Sequence, residues 1–288
     1  MIKSGGWNFF FYSLRLGFGG KEPFRQARPA TNRGSLPHKE ALRRILTPIN
    51  VSRCYEFTRT FELLRPEKGD VILDLSSPKL LSHYIAEKTG CRVIAADLSP
   101  DEVSSWLNLT RRRKSRPQWV LTDGRRLAFK DGSFDKAFSV SVLEHIPGEG
   151  DRAVVKELGR VLKPGGRLVL TVPYAGRYRA EFREKDPYGL QPGGGPYHWS
   201  HFYDEETIRE RLLRGSGLEL EGIFFGHGPG AVLWKKIERL GRFGFPLWMF
   251  SMPVAKFGLS EETTLPAGDD EDRFLAAIVV LNKNRGGS

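Results

Sequence analysis

Five short apolar runs in the middle of this 288-residue chain constrain it more than any other feature: Val71–Leu75, Arg92–Ala96, Gln118–Leu121, Phe134–Val140 and Arg167–Val172. A strand covered on both faces reads as a near-continuous apolar run, and such strands belong to parallel sheets whose faces are clad by helices. The segments between the runs supply those helices. Ser77-Pro78 places a capping residue before a proline at the first helical position, followed by Leu80, Leu81, Tyr84 and Ile85 and a stop at Gly90. Ser99-Pro100 repeats the device ahead of Val103, Trp106, Leu107 and Leu109, and Gly150–Leu162 carries Val154, Val155, Leu158 and Val161 at helical spacing. Strand and helix alternating in this way implies right-handed crossovers and a doubly wound, mostly parallel sheet with helices on both faces.

The flanks complete the expected architecture. Val51–Leu64 reads as a helix burying Tyr55, Phe57, Phe61 and Leu64 and ending before Pro66 and Gly69. Beyond Val172, residues 174–202 mix glycine, proline and aromatics and are expected to form a lid-like insertion. Asp204 caps a further helix that runs to Arg214 and ends at Gly217. Leu218–Phe225 and Phe274–Leu281 supply strands six and seven, and residues 234–258, centred on Trp248, Met249 and Phe250, form an apolar insertion. Residues 1–37 read as a flexible aromatic and basic arm preceding a single domain over 38–288.

Charge and cysteine usage narrow the partners. Lys and Arg exceed Asp and Glu by 11, which favours anionic partners without choosing among them. The densest basic run, Arg111, Arg112, Arg113, Lys114 and Arg116, falls at a helix end where positive charge suits the dipole, so a nucleic-acid role is not favoured. Cys54 and Cys91 stand far apart, without metal-ligand spacing, and fit a reducing, cytoplasmic setting with no metal. No run approaches the ~18 apolar residues of a membrane span. Peripheral membrane contact is left to Trp7, Phe9, Phe10, Phe11 and Tyr12, whose alternatives are packing on the domain, the favoured one, and capping a substrate pocket.

Open sheets of this kind bind ligands beyond the carboxyl ends of their strands, so the loops after the first four runs are the places to look. They carry Val71-Ile72-Leu73-Asp74-Leu75, Ala96-Asp97-Leu98-Ser99, Thr122-Asp123-Gly124 and Gly132-Ser133-Phe134-Asp135 leading to Val142-Leu143-Glu144-His145-Ile146. Further on stands Glu157-Leu158-Gly159-Arg160-Val161-Leu162-Lys163-Pro164-Gly165-Gly166. In order and spacing these resemble the class I S-adenosylmethionine-dependent methyltransferases, especially those acting on small molecules and lipids.

The resemblance implies a Rossmann-like seven-stranded sheet, S-adenosylmethionine as cofactor, and methyl transfer to a small-molecule or lipid-like acceptor. Asp97 is then the ribose acceptor with Leu98 beside it, Asp123 and Gly124 meet the adenine, Asp74 orients the loop or meets the ligand's ammonium group through water, and Ser76, Ser77 and Ser141 border the methionine portion. His145, His198 and His201 are the candidates for acid–base work. One departure stands out: Ser76-Ser77-Pro78-Lys79 lacks the glycines with which the family lets backbone approach the cofactor. A methyltransferase-fold binding or scaffold protein without turnover, and an RNA-associated protein, are the alternatives.

Overall fold

The computed structural model describes residues 50–110, 116–184, 186, 195–240, 247, 250–263 and 274–285. The arm over 1–37, four of the five basic residues at 111–116, the centre of the expected lid, and Trp248 and Met249 lie outside them.

Helix α1 (Val51–Leu64) opens with Asn50, whose side chain accepts the Arg53 N–H at 2.8 Å, and closes with Arg65 in the left-handed region. Then follow β1 (Val71–Leu75), α2 (Leu80–Thr89), β2 (Arg92–Asp97), α3 (Pro100–Thr110), β3 (Gln118–Leu121), β4 (Phe134–Val140), α4 (Gly150–Val161) and β5 (Leu162–Val172). A hairpin of β6 (Arg179–Arg183) and β7 (Tyr197–Phe202) precedes the short α5 (Glu205–Thr207), which a π-helical turn over Ile208–Leu213 prolongs. The chain continues through β8 (Leu218–His227), α6 (Pro229–Arg239), α7 (Ser251–Gly258), β9 (Ser260–Glu262) and β10 (Phe274–Lys283).

The main sheet runs β3-β2-β1-β4-β5-β10-β8-β9. Strands β1 to β5 are mutually parallel, and β10 enters antiparallel between β5 and β8. Alternation along each strand feeds two cores. Ile72, Val93, Phe138, Val140 and Ile278 face one layer with α1, α2, α6 and α7. Leu73, Leu75, Ile94, Leu168 and Val279 face the other with α4 and the π turn. Strand order reverses between β1 and β4, so the carboxyl ends of these two strands flank the crevice where such sheets bind ligands.

The expected doubly wound α/β sheet is present, with an eighth strand beyond the seven foreseen. Strand β9 is Ser-Glu-Glu, which carries no apolar signal, and it is recruited only by pairing with Phe225–His227. The expected lid contains the β6–β7 hairpin. Ser77 does not cap α2: that helix begins at Leu80 without a side-chain cap, because the Ser77 hydroxyl accepts the Val140 N–H at 2.8 Å. Ser99 does cap α3, accepting the Glu102 N–H at 3.3 Å.

Candidate functional site

At the carboxyl end of β1 the chain makes the turn that glycine usually makes. Ser76 stands at φ 53°, in the left-handed region, and its N–H donates to the Ala96 carbonyl at 2.8 Å, tying the β1 loop to β2. A non-glycine residue there costs about 1–2 kcal/mol. The loop thus adopts a torsion that glycine reaches more readily, with a serine in that place.

The carboxylates around this loop are engaged within the chain. Asp74 is fully buried; it accepts the Ser77 N–H at 3.1 Å and the Ser82 hydroxyl, and burial raises its pKa. Asp74 and Ser77, both expected at the ligand site, fasten the loop to α2 and to β4. Asp97 ends β2 with its carboxylate nearly buried, one oxygen accepting the Ser99 N–H at 2.8 Å and the other paired with the Lys79 ammonium. Lys79 is itself 5 % exposed and lies 5.8 Å above the Trp119 ring. Asp123 takes a two-pronged grip from Arg125, at 3.0 and 2.7 Å to one of its oxygens, which lowers its pKa. Gly124 packs where a Cβ would lie 3.1 Å from Leu75, and Leu98 is 43 % exposed.

The carboxyl ends of β4 and β5 are built differently. Ser141 is also left-handed, at φ 49°; its N–H donates to the Thr171 hydroxyl at 3.0 Å and its own hydroxyl to Glu56 at 2.5 Å. Glu56, buried on α1, also accepts from Thr171 at 2.9 Å and from Arg53 at 2.6 Å. Beside it Glu144 is 3 % exposed, and burial, with Glu56 adding to it, pushes its carboxyl up to about 8. Its Oε2 has no hydrogen-bond partner among the described residues. A cavity of about 230 Å³ opens between Asn50, Arg53, Glu56, Ser141, Glu144 and Glu238.

The three histidines expected to do acid–base work are not among the residues that line this cavity. His198 and His201 on β7 reach the carbonyls of Glu144 and Ile146 at 2.9 and 3.1 Å. His145 meets the Trp199 carbonyl at 2.6 Å through Nδ1, with Nε2 3.8 Å from Glu144. Burial lowers the pKa of His145 and takes that of His201 down to about 4, so both rings are neutral at physiological pH. Below them Asp151, fully buried, pairs with Arg211 through two contacts of 2.8 Å and accepts the Tyr203 hydroxyl at 2.9 Å. Among the described residues, no group of three or more His, Cys, Asp or Glu could hold a metal ion, and no helix is long and apolar enough to cross a membrane.

Lys79 and Glu56 are absent from the expected site. Glu56 carries one legible signal, an acid set between Tyr55 and Phe57 in an apolar helix. Lys79 carries none, since a lysine at a helix start reads as solvated surface.

Comparison with known proteins agrees with this geometry. Residues 73–170 match the family described as methyltransferase domain. The methyltransferase GfsG of Streptomyces halstedii is 32% identical over 113 residues, which are 38% of this chain and 40% of that protein. The 2-methyl-6-phytyl-1,4-hydroquinone methyltransferase of Synechocystis is 39% identical over 90 residues, 31% of this chain and 27% of that one. The chain thus spans less than half the length of these relatives. Among solved structures, a 1,6-didemethyltoxoflavin-N1-methyltransferase of Burkholderia thailandensis with bound S-adenosylhomocysteine superposes with a TM-score of 0.53 at 17% identity, over 89% of this chain and 94% of that one. The [4+2]-cyclase SpnF superposes with a TM-score of 0.51 at 17% identity, over 98% and 97%. Residues 73–170 match the methyltransferase domain, and the chain built around them has the class I methyltransferase fold.

Proposed function

We propose that this protein is an S-adenosylmethionine-dependent methyltransferase acting on a small-molecule acceptor. The observation that carries the reading is Asp97, a nearly buried carboxylate at the carboxyl end of β2, within a segment that matches the methyltransferase domain by sequence. A carboxylate there suits the two hydroxyls of a ribose. The 2-methyl-6-phytyl-1,4-hydroquinone methyltransferase among the relatives favours a ring-bearing acceptor.

The residues present fit the cofactor once Asp97 and Asp123 exchange their partners Lys79 and Arg125 for it. Asp97 and Asp123 are the acceptors for its ribose and adenine, and the left-handed Ser76 turns the backbone as a glycine does. Lys79 must release Asp97 before the ribose can take it. When bound, S-adenosylmethionine supplies a methyl group on a sulfonium, already activated for transfer, so positioning is the protein's main task.

Calorimetric titration with S-adenosylhomocysteine tests the reading. Wild type is expected to bind it, and Asp97→Ala to lose about a hundredfold in affinity, as charged hydrogen bonds at about 1.5–3 kcal/mol each imply. Equal affinity in both proteins, or none in wild type, overturns the assignment.

A further inference from the structure

Helices α6 and α7 carry more apolar surface than their core packing uses. On α6 the core-facing positions are Ala231, Trp234 and Ile237, all buried. A globular helix normally gives the rest of its surface to polar residues. Here the solvent side carries Leu233, Lys236 and Leu240, whose spacing of three and then four residues sets them in one stripe. On α7 Ala255 is buried in the same core, while Pro253 and Phe257, four residues apart, are exposed, Phe257 at 74 %. The two helices touch at Gly230 and Gly258, where a Cβ on either would lie 2.7 Å from the other's backbone, so they form one closely joined pair.

Of the nine large hydrophobic side chains exposed among the described residues, five fall within 233–257: Leu233, Leu240, Leu247, Phe250 and Phe257. Single exposed leucines are ordinary on a protein surface, whereas a concentration of them marks a surface that meets something. Charge selects the partner. Lys235, Lys236 and Arg239 stand on α6 beside these side chains, and the one acid of that helix, Glu238, is held by Trp234 Nε1 at 2.7 Å. A second copy docked through the same face in a two-fold dimer would bring this cationic cluster onto itself. The sequence over 1–49 holds nine Lys and Arg against two Glu and so has the same sign. An anionic bilayer satisfies both demands, taking apolar side chains into its interface and cations at its headgroups.

We propose that the face made by α6 and α7 is a membrane-docking surface, whose exposed leucines and phenylalanines enter the interface of an anionic bilayer while Lys236 and its basic neighbours meet the lipid phosphates. At eleven and eight residues the two helices are too short to cross a bilayer, which takes about 20, and they lie in its interface. The inference is independent of the methyltransferase reading. It bears on the cavity described above, because Glu238 of α6 lines it and docking holds it beside the lipid surface.

Co-sedimentation of the full chain with vesicles tests this, using phosphatidylcholine alone and an equal mixture of phosphatidylcholine and phosphatidylglycerol. Wild type is expected to bind the mixed vesicles at least about fivefold more strongly than the neutral ones, the gain that one basic residue at an anionic surface supplies. The double variant Leu240→Ser, Phe257→Ser is expected to weaken that binding at least about tenfold, since two apolar side chains no longer leave water. Lys236→Glu is expected to weaken binding to the mixed vesicles and not to the neutral ones. Leu121→Ser removes an equally exposed leucine from β3, at the far edge of the sheet, and is expected to change nothing. All four positions are exposed, and circular dichroism checks that each variant is folded. Failure of wild type to bind the mixed vesicles, equal binding to both kinds, undiminished binding by the double variant or an equal loss in Leu121→Ser overturns the proposal. So does a wild-type oligomer in light scattering that the double variant dissociates, which would make this face a contact between copies of the chain.

Discussion

The two halves of the crevice are finished to different degrees. Beyond β1, β2 and β3 the carboxylates already have partners: Asp74 with Ser77 and Ser82, Asp97 with Lys79, Asp123 with Arg125. Beyond β4 and β5 a cavity persists, and one of its carboxyl oxygens has no hydrogen-bond partner among the described residues. The first half must exchange partners to bind anything; the second is preformed. A ligand entering the first half has to break an ion pair, whereas the second half has already borne the cost of holding a bare polar atom.

The largest expected effect comes from undoing what holds the preformed half. Arg211→Ala strips fully buried Asp151 of the guanidinium paired with it, and breaking a buried pair from one side costs about 3–5 kcal/mol. Denaturant unfolding checks this, and a loss under about 1 kcal/mol, the size of a single ordinary hydrogen bond, would mean that the hairpin is not fixed as described.

The next effect reads the bare carboxyl directly. Because the folded Glu144 titrates near 8, well above its ordinary 4.5, the folded state binds the proton more tightly than the unfolded chain. Its contribution is intact below about pH 4.5, declines as the pH rises, and is fully lost above about 8. Glu144→Gln is expected to flatten this decline and to exceed wild type by about 2 kcal/mol at pH 9, since each tenfold change in proton affinity is worth about 1.4 kcal/mol before the folded state relaxes. Parallel melting curves for the two proteins between pH 5 and 9 would contradict it.

Lys79→Met probes the closed half. Asp97 loses its partner, so stability is expected to fall by about 2 kcal/mol, while S-adenosylhomocysteine binding tightens about tenfold because the ammonium no longer competes. Weaker binding would instead make Lys79 part of the ligand site. The smallest change is Ser76→Gly, expected to alter stability by less than about 1 kcal/mol, because relieved torsional strain offsets the freedom that glycine adds to the unfolded chain.

How much of this is legible in the chain depends on the range of the interaction. The spans Val71–Leu75, Gln118–Leu121, Phe134–Val140 and Val51–Leu64 follow from local apolar pattern and match the observed elements. Asp97 is placed by its position at the end of a strand. Ser77 departs from its expected capping role because its hydroxyl answers to Val140, 63 residues away, and not to the helix beside it. Lys79 against Asp97 and Glu56 against Ser141 are likewise pairings that only the folded sheet creates, 18 and 85 residues apart. The histidines draw attention through their chemistry, yet the rings of His198 and His201 are turned to backbone carbonyls, which no spacing rule reveals.

Ser76 has a consequence for tracing ancestry. The resemblance leads one to expect glycine in this loop, a residue suited to a positive φ, and here a serine stands at 53°. A chain can thus lose the letter and still adopt such an angle, at a cost small enough for the rest of a well-packed sheet to absorb. Lineages of this kind are better followed by comparing torsions at the ends of β1 and β4 than by matching residue types, and a loop without glycine is no sign that the lineage has been left.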